Sequence, residues 1–294
     1  MLTDAIKPMI AAQIRQMTGA SRPLDDFLHP VGDPGLFGPK SVTWQVHAHF
    51  ASMMVGGLSS LLIQAMHPGA LAGVWDHSNF RDDLKARLGR TAYFIAATTY
   101  GGTAMAKHVI NHVNLVHAKV AGIRPDGVHY SARDPHLLKW VHLAEILSFL
   151  KAYRLHGDPS LPLFAQNQYI FEMAQIGEAL GATELPRRLD DAQRMLLAYE
   201  AELVFDDRAR EVIALIEHFP ARIQDQPLVK LVIQGAFQTL PQWVLEKMQR
   251  KPDPQWLQTL NQQALALISV PIDWTLASEG VTAFAKRRVS EIPR

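Results

Sequence analysis

The chain has 294 residues, 48% of them hydrophobic and 19% charged, with a formal net charge of +1 and no cysteine. That length supports one large or two small domains with a substantial core. The near-neutral charge provides no global field for nucleic acid, and the missing thiols exclude disulfides, thiolate metal sites, iron–sulfur clusters and cysteine nucleophiles.

The first segment, MLTDAIKPMIAAQIRQ, mixes acidic and basic residues among apolar ones instead of placing charge before a greasy run. It does not read as a signal peptide, and the cytoplasm is the expected location. Thr3 to Met17 predicts a helix, disturbed by Pro8 and ended by Gly19. A Pro- and Gly-rich loop follows to Lys40; its Gly32, Gly35 and Gly38 match neither nucleotide motif. Ser41 then caps a long helix that stops at His67-Pro68. The apolar run Phe50 to Met66 within it is short for a bilayer and interrupted by Gly56, Gly57, Ser59, Ser60 and Gln64, so it predicts a core helix and no membrane span. Its small residues allow close approach by a neighbour.

After an irregular connection, Asp82 to Gly122 reads as two helices joined at Tyr100-Gly101-Gly102. On the first, Arg87, Arg90 and Thr91 share a face by their three- and four-residue spacing, above Phe94 and Ile95. Two guanidinium groups and a hydroxyl over an apolar wall suit water or a polarised ligand. On the second, capped at Thr103 and ended at Gly122, the stripe Met105, Val109, Val113, Val116 and Val120 has His117 on one flank and His112 on the other, with His108 further round. One helix cannot aim all three imidazoles at one atom. His108 and His112 have chelating spacing but no nearby carboxylate. Among the three His117 is the better candidate for a single axial ligand in an apolar pocket, although this helix alone favours a core histidine with one hydrogen bond.

A turn around Asp126-Gly127 predicts a small hairpin. Asp134-Pro135 opens another helix, closed by Gly157, with Leu138, Val141, His142, Glu145 and Phe149 on one face. His142 and Glu145 on that face fit a satisfied internal pair, a ligand-orienting pair, or an acid and a base. Helices are then expected over 164–180, 190–204, 209–218, 227–240, 243–247 and 256–268, with no convergent titratable cluster; this half is expected to complete the core, cover the pocket and offer a homodimer face. Lys286-Arg287-Arg288 reads as solvated surface. The result is an all-α chain with a single helical domain over 41–249, preceded by a helix and loop over 1–40 and followed by a helical extension over 250–294. There is no G-x-S-x-G, H-E-x-x-H, P-loop or repeated E-x-x-H.

The series GLFGPKSVTWQVHAHF, QAMHPGALAGVWDHSNFRDD, RLGRTAYFIAATTYGG, VNLVHAKVAG and DPHLLKWVHLAEILSFLKAYRLHG, in that order over about 30–240, resembles the family of rubber oxygenases (latex-clearing proteins) and MpaB-type oxygenases. The resemblance implies a globin-like helical core around haem b, a histidine on the iron, and dioxygen used to cleave carbon–carbon double bonds in isoprenoid chains. It implies a haem-pocket role for the Arg-x-x-Lys-Thr counterpart, here Arg87-Leu88-Gly89-Arg90-Thr91. Arg90 stands at the lysine position and cannot release a proton near neutral pH. His117 is the best match to the iron ligand, with His112 and His142 as alternatives. The family's catalytic glutamate has no motif match here; Glu145 is the pocket carboxylate that helix periodicity suggests. The expectation is a haem b oxygenase using dioxygen on a small apolar substrate, with Arg87, Arg90, Thr91 and Glu145 as catalytic candidates, Arg87, Arg90, Thr91, His117 and His142 around the cofactor, and His117 on the iron. The rivals are a non-enzymatic haem or lipid carrier, a non-haem metal site on His108 and His112, and a cofactor-free interaction protein.

Overall fold

The computed structural model describes residues 2–18 and 23–290; Gly19, expected to end the first helix, lies outside them. The helices are α1 (Leu2–Thr18), α2 (Val42–His47), α3 (Phe50–Gln64), α4 (Pro68–His77), α5 (Leu84–Tyr100), α6 (Thr103–His117), α7 (Pro135–His156), α8 (Leu163–Ala179), α9 (Leu189–Ala198), α10 (Asp207–Glu217), α11 (Gln226–Thr239), α12 (Gln242–Lys247), α13 (Gln255–Glu279) and α14 (Val281–Ser290), with short 3-10 turns between some of them. Among the described residues the one sheet is the hairpin β1 (Ala121–Ile123) and β2 (His129–Ser131), antiparallel with Gly122 opposite Tyr130. The protein is all-α, as the capped periodicity predicts.

The core is built on α3 against α7, the most extensive helix pair, with α11 packed on α3 and touching α7. Gly56 makes this approach possible: a Cβ there would lie 2.8 Å from Phe149 Cδ1 and 2.9 Å from its Cα. Leu62, Ile63, Met66, Trp140, Leu143, Ile146 and Phe149 are buried in the shared interior with Tyr169 and Ile170 of α8. A dozen or more such side chains, each contributing about 1.5–3 kcal/mol on burial, hold α7 rigid.

Local chemistry sets most boundaries. Ser41 Oγ accepts from Trp44 N at 3.2 Å, and Asp134 Oδ1 accepts from His136 N at 2.9 Å with Pro135 in the first turn, as expected. The long helix expected from Ser41 to Met66 instead breaks at Ala48-His49. His49 Nδ1 accepts from Ser52 N at 3.2 Å and so starts α3 as a new helix. His67 Nδ1 does the same for α4, accepting from Gly69 N at 3.1 Å.

Thr103 is not the cap of α6. Gly102 holds that position without a side chain, and Asp33 from the distant loop supplies the carboxylate, accepting from Thr103 N and Thr103 Oγ1, both at 2.7 Å. Arg288 secures that loop. It is fully buried rather than solvated, and donates from Nε to Asp33 O at 2.8 Å and from Nη1 to Phe27 O at 2.9 Å. Burial pushes the Asp33 carboxyl up, but Gly35, Thr103 and Arg288 together hold it below its ordinary value. Finally, α6 ends at His117, five residues before Gly122, because the chain enters β1. Its stripe is buried at Val109, with Ile110 beside it, and turns outward at Val116.

Candidate active site

Asp83 caps α5, its Oδ1 accepting from Ala86 N at 3.0 Å. One turn on, Arg87 is half-buried and donates from Nη1 to Ser78 Oγ at 3.1 Å. Burial, then the neighbouring charge of Arg90, pulls its guanidinium below the usual value. Arg90 and Thr91 are exposed; Thr91 Oγ1 donates to Arg87 O at 3.3 Å. The three side chains share a face as the spacing predicts, with only Arg87 drawn inward. Leu84 and Ile95 of the same helix pack against the main core.

At the other end of α5, Thr99 begins a buried polar chain. Its Oγ1 lies 2.8 Å from His47 Nδ1, and His47 Nε2 lies 3.0 Å from the Tyr169 hydroxyl. Burial, then the charges of Glu145 and Glu172, raises the Tyr169 hydroxyl well above its ordinary value, while burial drops His47 to about 3. Tyr169 therefore stays protonated beside a neutral His47, whose two ring nitrogens, one donating and one accepting, join it to Thr99. Neither His47 nor Tyr169 is singled out by spacing in the sequence, and α8 brings them together only through the tertiary fold.

Glu145 on α7 acts electrostatically on this chain. It keeps part of its surface open, yet burial alone pushes its carboxyl up to about 7. Among the described residues it takes no hydrogen bond. His142, one turn earlier, is buried with Nε2 unpartnered, and burial and Arg187 drop it to about 4. The two are therefore not a satisfied internal pair. Gly177 of α8 lies against the His142 ring: a Cβ there would sit 2.9 Å from its Nδ1.

His117 ends α6, half-buried, its Nδ1 buried without a partner and its basicity lowered by burial. Asn114, three residues earlier on the same face, donates from Nδ2 to Ala179 O at the end of α8 at 3.0 Å. The end of α8 thus meets α6 through Asn114 and the His142 ring through Gly177. His108 and His112 are exposed, and among the described residues neither makes a hydrogen bond or ion pair to a carboxylate.

A second histidine cluster has no sequence signal at all. The ligand atoms of His67, His136 and Glu202 lie within 4.8 Å of one another, with His136 Nε2 at 2.9 Å from both Glu202 oxygens and His67 Nε2 at 3.2 Å from one. Because His67 Nδ1 accepts from Gly69, its proton sits on Nε2 and donates to Glu202. The arrangement is closed as a hydrogen-bond cluster, and binding a metal through His67 Nε2 would break the cap of α4.

The family model described as ER-bound oxygenase mpaB/B'/rubber oxygenase, catalytic domain, matches residues 44–269. The chain belongs to this family. Its MpaB/rubber oxygenase catalytic domain runs from Trp44 in α2 into α13 and takes in Arg87, Arg90, Thr91, His117, His142, Glu145 and Tyr169; Asp33 and Arg288 lie outside it. The family assignment makes this an oxygenase fold. No curated protein and no solved structure matches the chain.

Proposed function

We propose that this oxygenase works with haem b and dioxygen and cleaves a carbon–carbon double bond in an apolar, isoprenoid-like substrate, with His117 on the iron. The observation that carries the reading is the buried, unpartnered Nδ1 of His117 beside the end of α8. An imidazole nitrogen kept from water and from every hydrogen bond is costly, and metal ligation uses it. His142, with its own idle Nε2, is the alternative ligand.

The other residues fit the same group. Arg87 is a half-buried cation whose partner is a neutral hydroxyl, which suits it to a haem propionate. Haem b, when bound, supplies the electron chemistry and the activation of dioxygen. The chain supplies binding, donors and a proton site. Arg90 and Thr91 offer a guanidinium and a hydroxyl to a polarised oxygen. Glu145, at about 7, changes protonation near neutral pH and is the group able to take or return a proton at its carboxyl. Tyr169 and His47 orient that region without titrating in the same range.

The test is the Soret-to-protein absorbance ratio after reconstitution. His117→Ala is expected to lose most bound haem while its far-ultraviolet circular dichroism stays helical; His108→Ala and His112→Ala are expected to keep it. A normal spectrum in His117→Ala with loss in His142→Ala moves the ligand to α7, and no Soret band in the reconstituted wild type ends the haem reading. The second reading, a non-haem metal at His67, His136 and Glu202, is favoured by their 4.8 Å grouping and opposed by the His67 tautomer. Stoichiometric zinc or non-haem iron that disappears in His136→Ala would select it.

A further inference from the structure

Helix α13 buries one side and leaves the other bare. Leu265, Ser269, Ile272 and Thr275 face inward, against α1, α3, α11 and α14. Outward stand Trp256 (67% exposed), Leu260 (54%), Leu267 (75%), Val270 (64%) and Trp274 (42%). With exposed Gln263 these follow one another at steps of four, three, four, three and four, the seam that two packed helices share. The flanks Thr259, Ala266, Pro271 and Ala277 are exposed and uncharged, several of them small. The charged residues of the helix are Asp273, which faces His49 and Phe50 N, and the terminal Glu279. By length and composition the stretch Gln255–Ser290 could cross a membrane, but α13 has its inner side packed on the core.

The order of the seam selects its occupant. Read from either end it is the same set of steps about Leu265: Trp256 mirrors Trp274, Leu260 mirrors Val270, and Gln263 mirrors Leu267. We propose that α13 pairs with α13 of a second copy of this chain, antiparallel across a two-fold axis near Leu265. A two-fold interface must be self-complementary, each contact occurring twice. In this register Trp256 meets Trp274, Leu260 meets Val270 and Leu267 meets the stem of Gln263, and no charge meets a like charge. The two copies of Gln263 fall about 6 Å apart along the axis at 1.5 Å per residue, where the one polar member of the seam fixes the register as buried amides do in coiled coils. At each end Trp274 is already held by Lys7, whose Nζ lies 4.3 Å from its ring centroid. The area is adequate: the five apolar side chains leave on the order of 600 Å² bare, at the top of the range for the largest patch on a monomer. With the flanks included, the face approaches the roughly 800 Å² per partner of a standard interface. A lipid surface would need no mirrored register and no tie between Trp256 and Trp274.

The absence of cysteine allows a direct test of that register. Leu260→Cys and Val270→Cys chains are prepared separately, mixed as full-length folded protein and oxidised mildly. Mixed chains are expected to form a disulfide-linked dimer, while either variant alone, with its two cysteines about 15 Å apart along the axis, does not. In parallel, light scattering at micromolar concentration is expected to give twice the chain mass for the wild type and the single mass for Leu267→Glu, with identical circular dichroism. A monomeric wild type overturns the proposal, as does cross-linking of Leu260→Cys with itself. So does a monomer that sediments with phosphatidylcholine vesicles through this face, which would make it a lipid-binding surface.

Discussion

Two polar regions of this oxygenase are completed to different degrees. Around Asp33 and Arg288, a carboxylate takes three N–H and O–H donors and a buried guanidinium fills two carbonyls, leaving its Nη2 without a partner. Around His117, His142 and Glu145, two imidazole nitrogens are idle and a desolvated carboxyl has no partner. Leaving such groups unmade costs free energy; here an idle imidazole, His142, stands one turn from a desolvated carboxyl, Glu145, a pairing that marks a place where stability is given up for binding or chemistry. The Asp33–Arg288 contacts fix the start of α6 so that its far end can carry His117.

The strongest expected effect is with acid. Burial holds His47 near 3, and His142 and His156 near 4, against an ordinary 6.5. Each contributes stability that is present above 6.5 and lost as pH falls toward its folded value, because the unfolded chain takes up the proton first. Each steepens the loss by up to about 1.4 kcal/mol per pH unit. Urea midpoints should therefore drop sharply between pH 6.5 and 4, and a flat profile there would show that these rings are solvated.

Arg288→Met comes next. It strands the carbonyls of Asp33 and Phe27 in a dry site, an expected loss of about 3–5 kcal/mol. Its Soret yield per folded molecule should be unchanged, which separates the structural contacts from the site. Glu145→Gln should do the reverse. The carboxyl is raised from 4.5 to about 7, so its contribution is intact below 4.5 and lost as pH rises through 7, when the folded protein must carry a desolvated charge. Glutamine is neutral throughout. The variant should match wild type at pH 4.5, gain up to about 3 kcal/mol at pH 8, and lose any activity step that titrates near 7. Equal stability at pH 8 would place Glu145 in water.

What could be read from the sequence follows from how local its cause is. The caps at Ser41 and Asp134, the hairpin at Asp126-Gly127 and the shared face of Arg87, Arg90 and Thr91 depend on neighbours within a few residues, and all are present. The break at His49 was missed because an imidazole is an uncommon cap. The exchange of Thr103 for Asp33, the burial of Arg288 and the grouping of His67, His136 and Glu202 span tens to hundreds of positions and leave no periodic trace. For the site, the helix faces were legible and the idle nitrogens were not, since lacking a partner is a property of the whole fold.

The smallest expected effect bears most directly on the contrast between the two regions. Gly177 lets α8 lie against His142, and a Cβ there would meet Leu185 Cδ1 at 2.5 Å and His142 Nδ1 at 2.9 Å. The leucine methyl can turn aside; the ring, walled in by α7 and α8, must shift. Gly177→Ala gains about 1 kcal/mol of helix propensity and loses about 1–3 kcal/mol to overpacking, so net stability should fall by only about 1 kcal/mol. The readout that matters is the ring. If the idle nitrogens of His142 and His117 flank one pocket at the end of α8, displacing His142 should move the Soret maximum or lower haem retention far beyond what the stability change explains. An unaltered spectrum at equal occupancy would mean that His142 lies outside the pocket, leaving His117 as the imidazole of the site.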